Sequence, residues 1–165
     1  ERMSAQTIGI IIGRAGSKGL PGKNARPIAG RPCMVWTIED ARAATRIDRV
    51  VLSTDDERML QIGRAMGIEA IARPADLARD DTTVDAAVRH AVMAADPEGR
   101  CTRVVILYAN VPVRPPGLID RGVALLEESG AASVQRYAPV RSHPPLRTAA
   151  GGEECGGRRW PGGGA

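Results

Sequence analysis

Residues 7–12 (TIGIII) form an uninterrupted apolar run that passes directly into a glycine-rich loop, Gly13-Arg14-Ala15-Gly16-Ser17-Lys18-Gly19-Leu20-Pro21-Gly22-Lys23-Asn24. A run rich in β-branched residues, with no polar alternation and a glycine at its end, suits a strand covered on both faces. The chain then repeats a strand–helix alternation. The spacing of Val35, Ile38 and Ala41 or Arg42 predicts a helix over 32–44, with Pro32 near its first turn. A second strand is expected over 49–53. It leads through the capping cluster Thr54-Asp55-Asp56 into a helix over 56–66, with Met59, Ile62 and Met66 on one face and Gly67 as its stop. A short strand over 68–71, a polar loop over 77–83, a helix over 84–95 and a buried strand over 103–108 follow. Pro115-Pro116-Gly117 opens a helix over 118–129, and 132–137 reads as a last strand.

Such an order predicts an α/β fold with a mostly parallel sheet and helices on both faces. Ligands of such sheets bind beyond the carboxyl ends of the strands. The glycine loop, Ser53 to Asp56, and Tyr108 to Arg114 all lie at those ends and are expected to converge on one site.

Composition narrows the function classes. The 165 residues include no Phe and only two Trp and two Tyr, so the core must be aliphatic. The net charge of +4 is not gathered into runs or interleaved with aromatics, which speaks for a solvated surface and against a nucleic-acid partner. Cys33, Cys101 and Cys155 lack metal-ligand spacing and read as reduced thiols, and His90 and His143 make no metal site by themselves. No segment reads as a membrane span or a signal peptide, so a cytoplasmic location without a membrane partner is expected. Residues 1–147 are assigned to one nucleotide-binding domain, incomplete at its C-terminal end, and the glycine-dominated 148–165 to a disordered tail.

The loop carries the chemistry. Lys18 and Lys23, the only two lysines among 23 basic residues, both lie in it. Glycines let backbone N–H groups approach an anion, and lysines supply compact point charges. Three cations (Arg14, Lys18, Lys23), the Ser17 hydroxyl and the Asn24 amide, with the Ala15–Gly16 backbone between them, can surround a triphosphate and stabilise a pyrophosphate leaving group. The loop is neither of two familiar phosphate motifs. Five residues separate Gly16 from Gly22 and Asn24 follows Lys23, which departs from the P-loop. Gly13, Gly16 and Gly19 are spaced by three, which departs from the dinucleotide fingerprint.

Arg14-x-Gly16-Ser17-Lys18-Gly19-Leu20-Pro21-x-Lys23-Asn24, followed by Pro27-Ile28-Ala29-Gly30-Arg31-Pro32, resembles the signature of the cytidylyltransferases of acidic sugars, the CMP-sialic acid synthetases and their relatives. The resemblance runs on through Trp36-Thr37-Ile38, Ser53-Thr54-Asp55-Asp56-Glu57, Arg73 to Asp80 and Thr82-Thr83-Val84-Asp85, over about residues 7 to 137. It implies a Rossmann-like nucleotidyltransferase fold. The implied reaction transfers CMP from CTP to the anomeric hydroxyl of a 2-keto sugar acid of the sialic, legionaminic or pseudaminic type, with Mg2+ bridging phosphate oxygens. It also implies a homodimer in the complete protein. Arg14, Ser17, Lys18, Lys23 and Asn24 would hold the triphosphate, Arg73 and Thr83 would serve the cytidine side, and Lys23, with Arg14, would face the developing charge.

The chain departs from the family in places. Ile12 and Gly13 stand where proline and alanine usually precede the loop arginine. Pro112 and Arg114 match the Gln-Pro-Thr-Ser-Pro-Leu-Arg segment of the sialic acid enzymes, whereas Asn110 stands where the related KDO enzymes carry a metal-binding Asp. Asn110 is a candidate for weak contact with a hydrated magnesium, or a turn residue. Family members run longer, and their metal carboxylates usually lie in the further portion, so metal ligands are left unassigned. Arg136 and Arg141 are candidates for the substrate carboxylate, because a guanidinium fork suits it. Asp55 and Asp56 read as capping residues before ligands. Two rival functions stay open: a nucleotidylyltransferase for another sugar phosphate, and a nucleotide-binding remnant without catalysis.

Overall fold

The computed structural model describes residues 6–16, 22–79 and 81–136. The chain divides into two units, Glu1–Gln135 and Arg136–Ala165. All the elements below belong to the first, and the second is described only at Arg136.

Strand β1 (Gln6–Ile12) is the apolar run expected to be covered on both faces, and it is. A short 3₁₀ turn (Lys23–Ala25) follows the glycine loop, then a two-stranded hairpin, β2 (Pro27–Ile28) and β3 (Arg31–Pro32). Helix α1 (Cys33–Ala43), β4 (Arg49–Thr54), α2 (Glu57–Ala65), β5 (Glu69–Ala72), a 3₁₀ turn (Ala75–Leu77), α3 (Val84–Ala95), β6 (Cys101–Tyr108) and α4 (Leu118–Ser129) complete the order. The main sheet runs β5-β4-β1-β6, and every neighbouring pair is parallel.

Strand alternation assigns the faces. In register, Ile10 lies between Val51 and Ile106, and Ile11 between Leu52 and Leu107. Ile8, Ile10, Ile12 and Val51 pack with Val88, Ala91 and Ala95 of α3. Ile11, Leu52 and Leu107 pack on the opposite face with Met34, Ile38 and Ala41 of α1 and Met59 of α2. The aliphatic core expected from the composition is therefore two layers that share one isoleucine-rich strand. Helices cover both faces, as the alternation required.

Local chemistry explains the boundaries. Asp56 is the N-cap of α2 and accepts from Arg58 N–H at 2.9 Å and Met59 N–H at 3.3 Å. Gly67 (φ 72°) ends that helix in the left-handed region, with its N–H on the Arg64 carbonyl at 2.9 Å. Thr83 caps α3, accepting from Ala86 N–H at 3.2 Å. The β2–β3 hairpin was not anticipated: two-residue strands carry no period. Its turn places Ala29 and Gly30 both at positive φ (50° and 77°), the conformation a two-residue hairpin turn demands. Trp36 Nε1–H donates to the Ile28 carbonyl at 3.1 Å, and the Arg31 guanidinium lies 4.8 Å from the Trp36 ring centroid, which ties the hairpin to α1.

One expectation is corrected. The strand read over 132–137 is absent over its described part, 132–136, which is exposed coil. Among the described residues β6 pairs only with β1, and no ladder reaches 132–136, so the apolar and β-branched content there finds no partner strand. Tyr137 and the expected tail at 148–165 lie outside the described residues. Among the described residues no helix is long and apolar enough to cross a membrane.

Leu52 is fully buried between β1 and the α1–α2 layer. Leu52→Ala should cost about 2–5 kcal/mol of unfolding free energy in urea denaturation; a loss below about 1 kcal/mol would contradict the two-layer packing.

Candidate functional site

The carboxyl ends of β1, β4 and β6 meet as expected, and backbone bonds show how. Gly13 N–H continues the β1–β4 ladder onto the Ser53 carbonyl at 3.3 Å, and Ala109 N–H continues the β1–β6 ladder onto the Ile12 carbonyl at 3.0 Å. Gly13 is needed for space. A Cβ there would stand 2.5 Å from Met59 Cε, 3.0 Å from Asn24 Nδ2 and 3.2 Å from Ala109 Cβ. The close approach lets Asn24, buried at the start of the 3₁₀ turn, fold back and donate to the Arg14 carbonyl at 3.3 Å. Gly22 (φ 64°) turns the chain into that 3₁₀ turn and so brings Lys23 back toward the strand ends.

Above these ends lies a cavity of about 340 Å³. Arg14, Lys23 and Asn24 line it from the glycine loop, Arg73 from the end of β5, Thr83 from the cap of α3, and Asn110 from the loop after β6. Six residues selected from the sequence are thus brought to one space. Four further lining residues, Leu77, Arg79, Thr82 and Tyr108, were not selected. Leu77, Arg79 and Thr82 lie in segments that carry the family resemblance without an assigned role, and Tyr108 begins the segment expected to converge on the site. Of the remaining selected residues, Ala15 and Gly16 belong to the loop but do not line the cavity. Ser17, Lys18 and Arg141 lie outside the described residues, and Arg136, exposed, begins the second unit.

The electrostatics of the cavity are one-sided. Among the described residues four cations line it and no carboxylate does, and one of the four, Arg79, pairs with Asp81 at 3.2 Å outside the lining. Arg73 is the most constrained. Its Nη2–H donates to the Ser53 carbonyl at 2.8 Å and its Nε–H to Ser53 Oγ at 3.3 Å, while its own N–H reaches the Thr54 carbonyl at 2.8 Å. Burial pushes the Arg73 guanidinium below its ordinary value, the Asp55 carboxylate opposes that, and the Arg14 charge adds to it. Among the described residues no carboxylate pairs with Lys23. Cations crowded in a partly desolvated space repel one another, and a multiply charged anion relieves that repulsion.

The loop after β6 is held by a polar clamp. The nearly buried Arg114 guanidinium donates through Nη1 to the Val111 carbonyl (2.8 Å), Thr37 Oγ1 (3.1 Å) and Asp40 Oδ2 (3.2 Å), and through Nη2 to the Tyr108 carbonyl (3.1 Å). Thr37 Oγ1 lies 3.2 Å from both the Tyr108 and the Val111 carbonyls. Arg114, noted in the sequence as part of a motif, therefore shapes the loop that presents Asn110 and does not itself line the cavity. Asp56 is the helix cap, as expected, but Asp55 is not. Its Oδ1 accepts the Ala15 N–H at 3.0 Å, across a separation of 40 residues.

The metal carboxylates left unassigned in the sequence are not found as a cluster among the described residues. No group of three or more His, Cys, Asp or Glu side chains is placed to hold a metal among them, and the cavity offers an anion cations rather than carboxylate oxygens.

Similarity to known proteins agrees with this arrangement. The cytidylyltransferase family matches residues 8–149. The chain belongs to that family. The 3-deoxy-manno-octulosonate cytidylyltransferase of Synechococcus elongatus is 35% identical over 113 residues, covering 68% of this chain and 43% of that protein. The N-acylneuraminate cytidylyltransferase of Escherichia coli is 34% identical over 90 residues, covering 54% of this chain and 22% of that protein. In three dimensions the cytidylyltransferase fold is matched by the structure of CMP:2-keto-3-deoxy-manno-octonic acid synthetase complexed with CTP, with a TM-score of 0.62 at 23% identity, over 77% of this chain and 49% of the other. The chain thus spans less than half the length of these curated relatives.

Removing the Arg114 clamp deletes the guanidinium donors to the Val111 and Tyr108 carbonyls, to Thr37 and to Asp40. Arg114→Ala should lower stability by about 2–3 kcal/mol, with Arg114→Lys recovering only part, because a point charge cannot reach acceptors on both sides of the loop. Chemical denaturation of the two variants checks this, and full recovery by lysine would contradict the fork geometry.

Proposed function

We propose that this cytidylyltransferase transfers CMP from CTP to the anomeric hydroxyl of an acidic 2-keto sugar and releases pyrophosphate. The observation that carries the reading is the cavity at the strand ends, where Arg14, Lys23, Arg73 and Arg79 converge with no carboxylate among the described lining residues. Both curated relatives described above act, by name, on acidic sugars of this type.

In the transfer the hydroxyl oxygen bonds to the α-phosphorus and gives up its proton to solvent. The bond from that phosphorus to the oxygen bridging toward the β-phosphate breaks, and its electron pair leaves with pyrophosphate. Such a reaction needs charge neutralisation and in-line placement more than a protein nucleophile. Lys23, without a carboxylate partner among the described residues, is assigned to the charge developing on the leaving group, with Arg14 beside it. Arg73 and Thr83, across the cavity from the glycine loop, are assigned to the cytidine side together with Asn110. Magnesium is proposed as a companion of the triphosphate, whose oxygens are the hard ligands it takes.

Pyrophosphate release tests the reading. Release should require CTP together with a sugar acid, 3-deoxy-manno-octulosonate and N-acetylneuraminate being the first two to compare. Lys23→Ala should slow it by about a hundredfold or more while leaving the melting temperature nearly unchanged. Release from UTP or GTP with a neutral sugar phosphate would overturn the assignment, as would CTP binding without any release in the presence of either sugar acid.

A further inference from the structure

The Asp55 carboxylate poses a problem for an anion site. It stands close enough to Arg73 to stabilise that cation, yet it does not line the cavity. A negative charge beside a triphosphate weakens binding unless it is engaged elsewhere. Here it is engaged: Oδ1 accepts the Ala15 N–H at 3.0 Å from behind the loop.

The carboxylate is mounted on a firm base. Asp55 follows Thr54, the fully buried last residue of β4, and precedes Asp56, the cap of α2. Asp56 N–H donates to Thr54 Oγ1 at 3.1 Å, so the backbone on either side of Asp55 is fixed. Two residues before Ala15, Gly13 N–H is bonded to the Ser53 carbonyl of the same strand end, and that carbonyl also receives Arg73 Nη2–H. The Ser53–Asp55 segment therefore holds the start of the glycine loop at two points and a cavity arginine at a third.

We propose that Asp55 is a positioning residue: it fixes the Arg14–Gly16 backbone so that the Arg14 side chain enters the cavity, and it acts as a hydrogen-bond acceptor, not as a charge. The functional half of this inference rests on the nucleotide reading above. An acceptor role has a consequence that a charge role lacks. Asparagine keeps an oxygen at the Oδ1 position and removes the charge, whereas alanine removes both.

The test compares the protein with its Asp55→Asn and Asp55→Ala variants by two measurements. The first is hydrogen exchange at the Ala15 amide, resolved by NMR without nucleotide. The second is CTP affinity by calorimetry, with thermal unfolding as a check on folding. Ala15 should be protected in the parent and in Asp55→Asn and should exchange about tenfold faster in Asp55→Ala. CTP should bind Asp55→Asn at least as tightly as the parent, and Asp55→Ala about tenfold more weakly. Equal losses of CTP affinity in both variants would overturn the acceptor role in favour of a charge role. A lower melting temperature in Asp55→Ala with unchanged CTP affinity would overturn positioning in favour of general stability. If the parent bound no CTP, the nucleotide reading would fall, and the anchoring of the loop would be judged by the exchange of Ala15 alone.

Discussion

Strand β1 is paired on both edges and covered on both faces, and everything functional in this unit is placed by where it ends. Its isoleucines supply both hydrophobic layers, so the strand has no freedom to slip by one residue without turning each layer outward. The ladders on its two sides run past its last residue, to Gly13 on the β4 side and Ala109 on the β6 side. The glycine loop and the Asn110 loop therefore leave the sheet side by side at a fixed separation. The cavity is the gap between them, completed by Arg73 and the start of α3.

That placement concentrates positive charge. Holding four cations around one space is unfavourable in the empty protein, and the surroundings limit the cost without cancelling it. Ser53 accepts from two nitrogens of Arg73, and Asp81 pairs with Arg79. A site arranged this way is preorganised for a polyanion: the charges are in place before the ligand arrives, and little reorganisation is needed when it does. Membership of the cytidylyltransferase family and the shape of the cavity thus point the same way, from independent observations.

The frame was legible in the sequence because its signals are local. The apolar β-branched runs of β1, β4 and β6 and the helical spacing of α1 and α2 each lie within a dozen residues. The glycine loop announced itself through its two lysines. What escaped is long-range or too short for a period. The β2–β3 hairpin has two residues per strand. Residues 132–136, of which only Ala132 and Val134 are apolar, meet no partner strand among the described residues, which composition cannot reveal. Among site residues, Arg79 lies in the Arg73 to Asp80 segment and Tyr108 ends a strand, but no local pattern tells that either lines the cavity. Arg114 and Asp55 act on backbone groups, Arg114 within its own loop but locked by Thr37 and Asp40 more than 70 residues away, and Asp55 across 40 residues. The motif showed Arg114 as a matching letter and Asp55 as one of two capping candidates. Only the packed structure separates the clamp from the ligand-facing residues, and the anchor from the cap.

The central claim is that the strand-end cavity is a cytidine triphosphate site. The melting temperature of the chain, measured with CTP, UTP, GTP and ATP in turn and with and without magnesium, tests it most directly. At about a hundred times its dissociation constant CTP should add roughly 2.7 kcal/mol of stability, a rise of several degrees for a domain of this size. The account predicts that rise with CTP and a clearly smaller one with the other three. Equal shifts with all four would contradict the cytidine assignment while keeping the anion site, and no shift with any of them would contradict both.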